Sequence, residues 1–171
     1  MRSYFSRLFW GLLLVVFDFS INNFDLLPDG IGYLIVASGC GGLVVLSPRF
    51  STAKTLSFVL AALWLIGFAI HGEIATAYGI ATTVVNCVFI WQLLGGIAEF
   101  ATKCQRSDIA MRAHNRRIAY AAIMTGTTCL GLMMHGSRNA GPIVVLIVIS
   151  MLVLMVMILH LIHRVKIELA T

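Results

Sequence analysis

Residues 18–29 read DFSINNFDLLPD, an acidic and polar passage inside an otherwise apolar N-terminal region. Four of its polar residues are spaced by 4, 3 and 4 positions, which would place them on one face of a continuous helix. These residues are Asp18, Asn22, Asp25 and Asp29. The stretch therefore predicts a polar stripe along the end of a first helix, around which the remaining apolar segments are arranged.

The composition of the chain is typical of a membrane protein. Of its 171 residues, 60% are hydrophobic and 11% are charged, against about 45–50% and about 25% in soluble domains. A water-soluble core of this size cannot bury that excess, and backbone groups in lipid must be paired within helices. We therefore predict an all-α fold, a polytopic membrane helix bundle that forms a single integral membrane domain over residues 1–171.

Charged residues and histidines divide the chain into apolar runs. Because a helix needs about 17–25 residues to cross a bilayer, the runs predict about six transmembrane helices in three hairpins. The predicted spans are residues 8–27, 31–47, 52–71, 74–98, 118–135 and 142–162. The first span requires its helix to continue through Asp18 to about Leu27, where Pro28 would end it. A re-entrant first segment is the alternative.

The distribution of positive charge predicts the orientation of these spans. In a six-span arrangement, eleven of the twelve lysines and arginines fall on one side, and Arg138 falls on the other. Cytoplasmic loops carry the excess of Lys and Arg, so both termini are predicted to be cytoplasmic. The net charge of +5 does not indicate a nucleic-acid partner, because the basic residues form no stripe with interleaved aromatic residues.

Asp18 is the sharpest functional candidate, because it lies about 16 Å along a helix that starts near Arg7. A charged aspartate at that depth costs at least about 2.5–3.5 kcal/mol. Polar residues at similar depth extend the feature into a predicted intramembrane path for an ion or a substrate, made by Asp18, Asn22, Asp25, Asn86 and Thr128. The structural alternative is that the carboxylates cap backbone groups and the threonines bond to their own helices.

A second group of polar residues falls at the predicted outer ends of the helices. Its members are Asp29, His71, Glu73, His135 and Arg138. They are able to form an outer metal or anion site, but scattered histidines at helix ends are more often interfacial residues. We predict neither a metal nor a cofactor for the chain.

The sequence contains no complete enzyme motif among those considered. The passage from Asp25 to Gly30 is similar to the acidic D-x-x-x-D-G motif of CDP-alcohol phosphotransferases, but IGY follows it and the later aspartates of that family are missing. No GxSxG or HExxH arrangement occurs either. The sequence therefore favours a protein without covalent chemistry of its own.

The N-terminal quarter, residues 8–50, resembles the first hairpin of small, uncharacterised bacterial multi-pass membrane proteins. The shared pattern is DF-x-I-x-x-FD-x-LPD-x-IGY, which runs here from Asp18 to Tyr33. The resemblance implies a protein of the bacterial cytoplasmic membrane. It singles out Asp25, Pro28, Asp29, Gly32 and Tyr33 as pattern positions.

Three functions follow as hypotheses. The first is a non-enzymatic accessory protein that lies in the lipid bilayer and binds a membrane-protein partner or a second copy of itself. The alternative is a small proton- or cation-linked transporter that uses an intramembrane aspartate; the chain is short for that role unless it dimerises. A lipid-modifying membrane enzyme ranks third.

Overall fold

The computed structural model describes residues 1–16, 20–21, 24–25, 29–70, 74–133 and 141–169, with backbone alone at 20–21, 24–25, 132–133 and 141–144. The helical architecture is confirmed, since six helices account for most of these residues. They are α1 Arg2–Val16, α2 Asp29–Leu43, α3 Arg49–Gly67, α4 Ile74–Lys103, α5 Ser107–Met133 and α6 Gly141–Glu168. Between α1 and α2, the two-residue strands β1 Ser20–Ile21 and β2 Phe24–Asp25 pair antiparallel, with Ser20 opposite Asp25.

The prediction of one continuous helix over residues 8–27 is wrong. Helix α1 ends at Val16, and the described residues that follow it belong to β1 and β2. The four-residue polar stripe required that helix. Of its members, Asp25 belongs to β2 and Asp29 opens α2, whereas Asp18 and Asn22 lie outside the described residues. The sequence of this region favours a helix only weakly, since Asn22 and Asn23 are residues of low helix propensity.

The other predicted spans correspond to helices with different ends. Helix α2 stops earlier, at Leu43, while α4 continues to Lys103 and α6 to Glu168. Helix α5 begins at Ser107 and includes a charged stretch that the sequence placed in a loop. Apolar runs mark the apolar part of a helix, whereas long basic side chains let the helix itself project further.

Consecutive helices pack against each other, and α6 returns to pack against α1. Helices α1 and α2 are antiparallel, since the end of each lies beside the start of the other. A Cβ added to Gly11, late in α1, would lie 2.8 Å from the carbonyl oxygen of Gly32, early in α2. A Cβ added to Gly39, late in α2, would lie 3.0 Å from the carbonyl oxygen of Tyr4, early in α1. The other helix pairs follow the same antiparallel pattern, as when Lys166 of α6 bonds to Ser6 of α1 at 3.2 Å. The fold is an up-and-down bundle.

The bundle therefore has two distinct ends. The basic end is the one at which α1, α3 and α5 begin and α2, α4 and α6 end; its cations include Arg49, Lys103, Arg106, Arg112, Arg116, Arg117 and Arg164. The far end is the opposite one. The core lies toward the basic end, where Phe5 stacks on Phe100 with ring centroids 5.9 Å apart.

Within the described residues, three helices are long and apolar enough to cross a membrane: Arg49–Gly67, Ile74–Lys103 and the Val145–Glu168 part of α6. Large apolar side chains stand exposed along them, including Leu65, Val84 and Leu146. Exposed apolar surface of this kind suits contact with lipid. The three helices are compatible with a membrane protein, whereas α1 and α2 have 15 residues each.

Candidate functional site

The two predicted polar groups fall largely outside the part of the chain that the structure describes. Beyond it lie Asp18, Asn22, His71, Glu73, His135 and Arg138. Asp25 is described by its backbone alone, in β2. The intramembrane path and the outer cluster therefore stay predictions, and the described members are Asp29, Asn86 and Thr128.

Thr128 bonds to its own helix, which was the structural alternative to an intramembrane path. Its hydroxyl donates to the Met124 carbonyl of its own helix at 2.8 Å, and Thr127 donates to the same carbonyl at 2.9 Å. Asn86, which is half-buried, shares a face of α4 with Thr82 by its helical spacing. Thr128 instead faces a crevice whose α4 wall includes Thr83. The hydroxyl of Thr128 is therefore already bonded within α5.

A crevice between α4 and α5 opens at the far end. Its outer part has a volume of about 340 Å³ and its inner part about 270 Å³. The outer part is lined by Thr76, Gly79, Ile80, Thr83, Met124, Thr127, Thr128 and Gly131. None of the side chains described at residues 74–88 of α4 or 121–131 of α5 is buried. The two helices thus cover each other's facing surfaces only partly along this length.

Small residues make the walls of this crevice shallow. A Cβ added to Gly79 or Gly131 would meet nothing within 4 Å, and the same holds for Gly126, which lies outside the lining. The hydroxyl of Thr83 donates to the Gly79 carbonyl of its own helix at 2.8 Å. Because such hydroxyls are satisfied locally, the crevice offers mainly methyl groups, sulfur and glycine backbone as contact surface.

A second far-end cavity, of about 360 Å³, lies among α2, α3 and α4. It is lined by Asp29, Tyr33, Leu60, Trp64, Gly67, Phe68, Tyr78 and Thr82. Trp64 and Phe68 meet edge-on with ring centroids 4.8 Å apart, and the Tyr78 hydroxyl donates to the Leu63 carbonyl of α3. One carboxylate therefore shares a cavity with four aromatic side chains.

A polar network at the basic end was missed by the sequence reasoning. The Glu99 carboxylate accepts hydrogen bonds from the Ser47 hydroxyl and from Nε of Arg49. The guanidinium carbon of Arg117 lies 3.9 Å from the centre of the Trp91 ring. A usable signal was present, because an antiparallel hairpin brings the start of α3 beside the end of α4 and hence Arg49 beside Glu99.

In the described ranges, no three His, Cys, Asp or Glu side chains come close enough together to hold a metal ion. No family model, curated protein or solved structure matches the chain. Three features of the described bundle are candidates for a functional role: the α4–α5 crevice, the aromatic cavity and the polar network.

Proposed function

We propose that the chain is a non-enzymatic accessory protein of the bacterial cytoplasmic membrane, which holds a partner membrane protein through the α4–α5 crevice. In this proposal all six helices cross the bilayer, and both termini are cytoplasmic. The alternating direction of the helices and the collection of cations at one end support that topology. The accessory role is inferred mainly from the α4–α5 crevice.

The crevice suits a helix better than a solute. Apolar helices gain little from mutual burial in lipid, and they associate by close packing over small residues. Gly79 on one wall and Gly131 on the other allow a third backbone to approach without displacing any side chain of this protein. The occupant we propose is an apolar transmembrane helix of another protein, with small residues along the face that enters the crevice.

Filling the crevice tests this role. Leucine at position 79 has open space in this chain, and it is a better helix former than glycine by about 0.8–1 kcal/mol. Gly79→Leu should therefore accumulate in the membrane like the natural protein and lose about tenfold or more of a co-purifying partner. The measurement is quantitative mass spectrometry of material purified in mild detergent.

Gly126→Leu is the matched control, because position 126 is equally open but does not line the crevice. It should retain the partner at the natural level. Equal partner recovery with Gly79→Leu and the natural protein would contradict the proposal. A monodisperse homo-oligomer free of other proteins would contradict it as well.

A small cation-linked transporter is the second candidate, favoured by the aromatic cavity. Asp29 supplies a carboxylate to it, and the rings of Tyr33, Trp64 and Tyr78 are groups that attract cations. This candidate predicts that Asp29→Asn accumulates normally and abolishes cation-driven flux in proteoliposomes, as Asp18→Asn should if the predicted path operates. Unchanged flux in both variants, or no flux with the natural protein, would rule this candidate out.

A further inference from the structure

The basic end contains a cavity that the accessory role does not use. This basic pocket has a volume of about 410 Å³ and is lined by Arg49, Gly95, Ala98, Glu99, Thr102, Lys103 and Arg117. Three of these side chains are cationic and one is a carboxylate, so two positive charges are in excess. They come from three helices, α3, α4 and α5, which makes the pocket a product of the tertiary fold.

The carboxylate in the pocket is already engaged. Glu99 accepts from the Ser47 hydroxyl and from Arg49, so its charge is directed at the start of α3. The outer nitrogen Nη1 of Arg49 makes only a long contact, 3.4 Å, with the side-chain oxygen of Gln92. Part of the Arg49 fork therefore stays available to a second acceptor.

Arg117 lines the pocket from α5. Its guanidinium carbon lies 3.9 Å from the centre of the Trp91 ring, and its Nε is a buried donor with no hydrogen-bond partner within the described part of the chain. Nη2 lies 3.5 Å from Nδ1 of His114, which is a weak contact at best. Burying a guanidinium donor without an acceptor is costly, so an acceptor entering the pocket would relieve that cost.

Gly95 is the reason that two arginines can share this space. A Cβ at this position would lie 2.9 Å from Cδ of Arg49 and 3.1 Å from Nη1 of both Arg49 and Arg117. Two like charges held over one glycine repel each other, and Glu99 offsets only one of them, so a further anion beside the arginines would reduce the repulsion. Arginine is well suited to bind phosphate, because its planar guanidinium offers paired N–H donors.

The basic pocket extends from an exposed mouth into the bundle. Lys103 is exposed at the mouth and bonds to the Leu46 carbonyl at 2.6 Å, whereas Gly95 lies about 12 Å further along α4 by helical rise. We propose that the basic pocket binds the phosphate group of an anionic ligand, presented by a phospholipid headgroup or by a soluble phosphate compound. In either case Arg49 and Arg117 bind the phosphate oxygens and Lys103 attracts the ligand at the mouth.

Titration of the purified full-length protein in neutral detergent tests the site, with short-chain phosphatidylglycerol, short-chain phosphatidylcholine and inorganic phosphate as separate probes. Arg117→Gln should weaken binding of the anionic probe by about tenfold, because it removes a charge-assisted contact. Binding of phosphatidylglycerol without binding of inorganic phosphate assigns the site to a lipid headgroup. Binding of inorganic phosphate assigns it to a soluble ligand.

Arg112→Gln is the matched control, since Arg112 is an exposed arginine of the same helix outside the pocket. It should leave the affinity unchanged. Lys103→Gln removes a charge at the exposed mouth and should weaken binding several-fold, which keeps the test informative if Arg117→Gln fails to fold. The proposal is overturned if no anionic probe binds, if phosphatidylcholine binds as well as phosphatidylglycerol, if Arg112→Gln weakens binding as much as Arg117→Gln, or if Lys103→Gln leaves it unchanged.

Discussion

The two halves of α4 differ sharply, although both are apolar. From Phe89 to Ala101 most residues are buried, whereas none of the side chains from Ile74 to Val88 is. The same change occurs along α5 beyond Tyr120. Hydropathy is spread along the helices, but packing within the chain is concentrated toward the basic end. An apolar helix therefore does not by itself say which of its surfaces this protein covers.

The polar groups show the same difference. At the basic end they connect different helices, as when Arg106 at the start of α5 pairs with Glu168 at the end of α6. At the far end the hydroxyls of Thr83, Thr128 and Ser150 bond to backbone carbonyls of their own helices. Tyr78 is an exception there, because its hydroxyl donates to the Leu63 carbonyl of α3. Cross-helix bonds hold particular helices together, whereas back-bonded hydroxyls only satisfy their own polarity.

The largest expected effect comes from removing a core ring. Phe89 is fully buried, and Phe89→Ala should lower the free energy of unfolding by about 3 kcal/mol or more through lost packing. Val84 is 56% exposed on the same helix, and Val84→Ala should change it by no more than about 0.5 kcal/mol. Denaturant titration in mild detergent measures both. Equal losses would abolish the distinction between the two halves of α4.

Two glycine substitutions are expected to change the stability of the protein by intermediate amounts and in opposite directions. A Cβ at Gly11 would lie 2.7 Å from Cγ2 of Val36 and 2.8 Å from the Gly32 carbonyl oxygen, so Gly11→Ala should destabilise the protein by about 1–3 kcal/mol. Gly126 has open space, and Gly126→Ala should stabilise α5 by up to about 1 kcal/mol. Thermal unfolding compares the pair, and destabilisation by Gly126→Ala would contradict an open far end.

The smallest effect concerns the exposed ion pairs of the basic end. Asp108 accepts a hydrogen bond from Nε of Arg106 at 3.0 Å, and that bond, with the nearby charge of Arg164, holds the pKa of the Asp108 carboxyl below its usual value. A carboxyl whose pKa is lowered by folding contributes stability above its unfolded pKa of about 3.9. This contribution is lost as the pH falls through the folded-state pKa.

Acidification below about pH 4 should therefore lower the melting temperature of the natural protein more than that of Asp108→Asn. The difference should shrink at high salt, because the pair is exposed and screened. An identical acid response in both proteins would mean that the Arg106 pair contributes nothing to the basic end.

The sequence predicted the helices better than the sites. Apolar runs predicted six helical segments. The physical reason is that a segment in lipid must pair its own backbone groups, and a helix does so. The prediction of the first segment failed beyond Val16, because a polar spacing of 4, 3 and 4 residues is compatible with a helix but does not require one. The polar network was not predicted from the sequence, for a different reason. Glu99 was used only to mark the end of a span, and Arg117 only to orient the bundle.

Taken alone, the sequence determined that the chain is helical and apolar enough for a membrane and that its cations collect between the apolar runs. These properties depend on composition and on spacing along the chain. The tertiary structure alone decided which residues meet, because helix packing brings Arg49, Glu99 and Arg117 together from three helices. Residues 18–29, read as one polar face, also became separate elements: Asp25 pairs in β2, and Asp29 opens α2 beside the aromatic cavity.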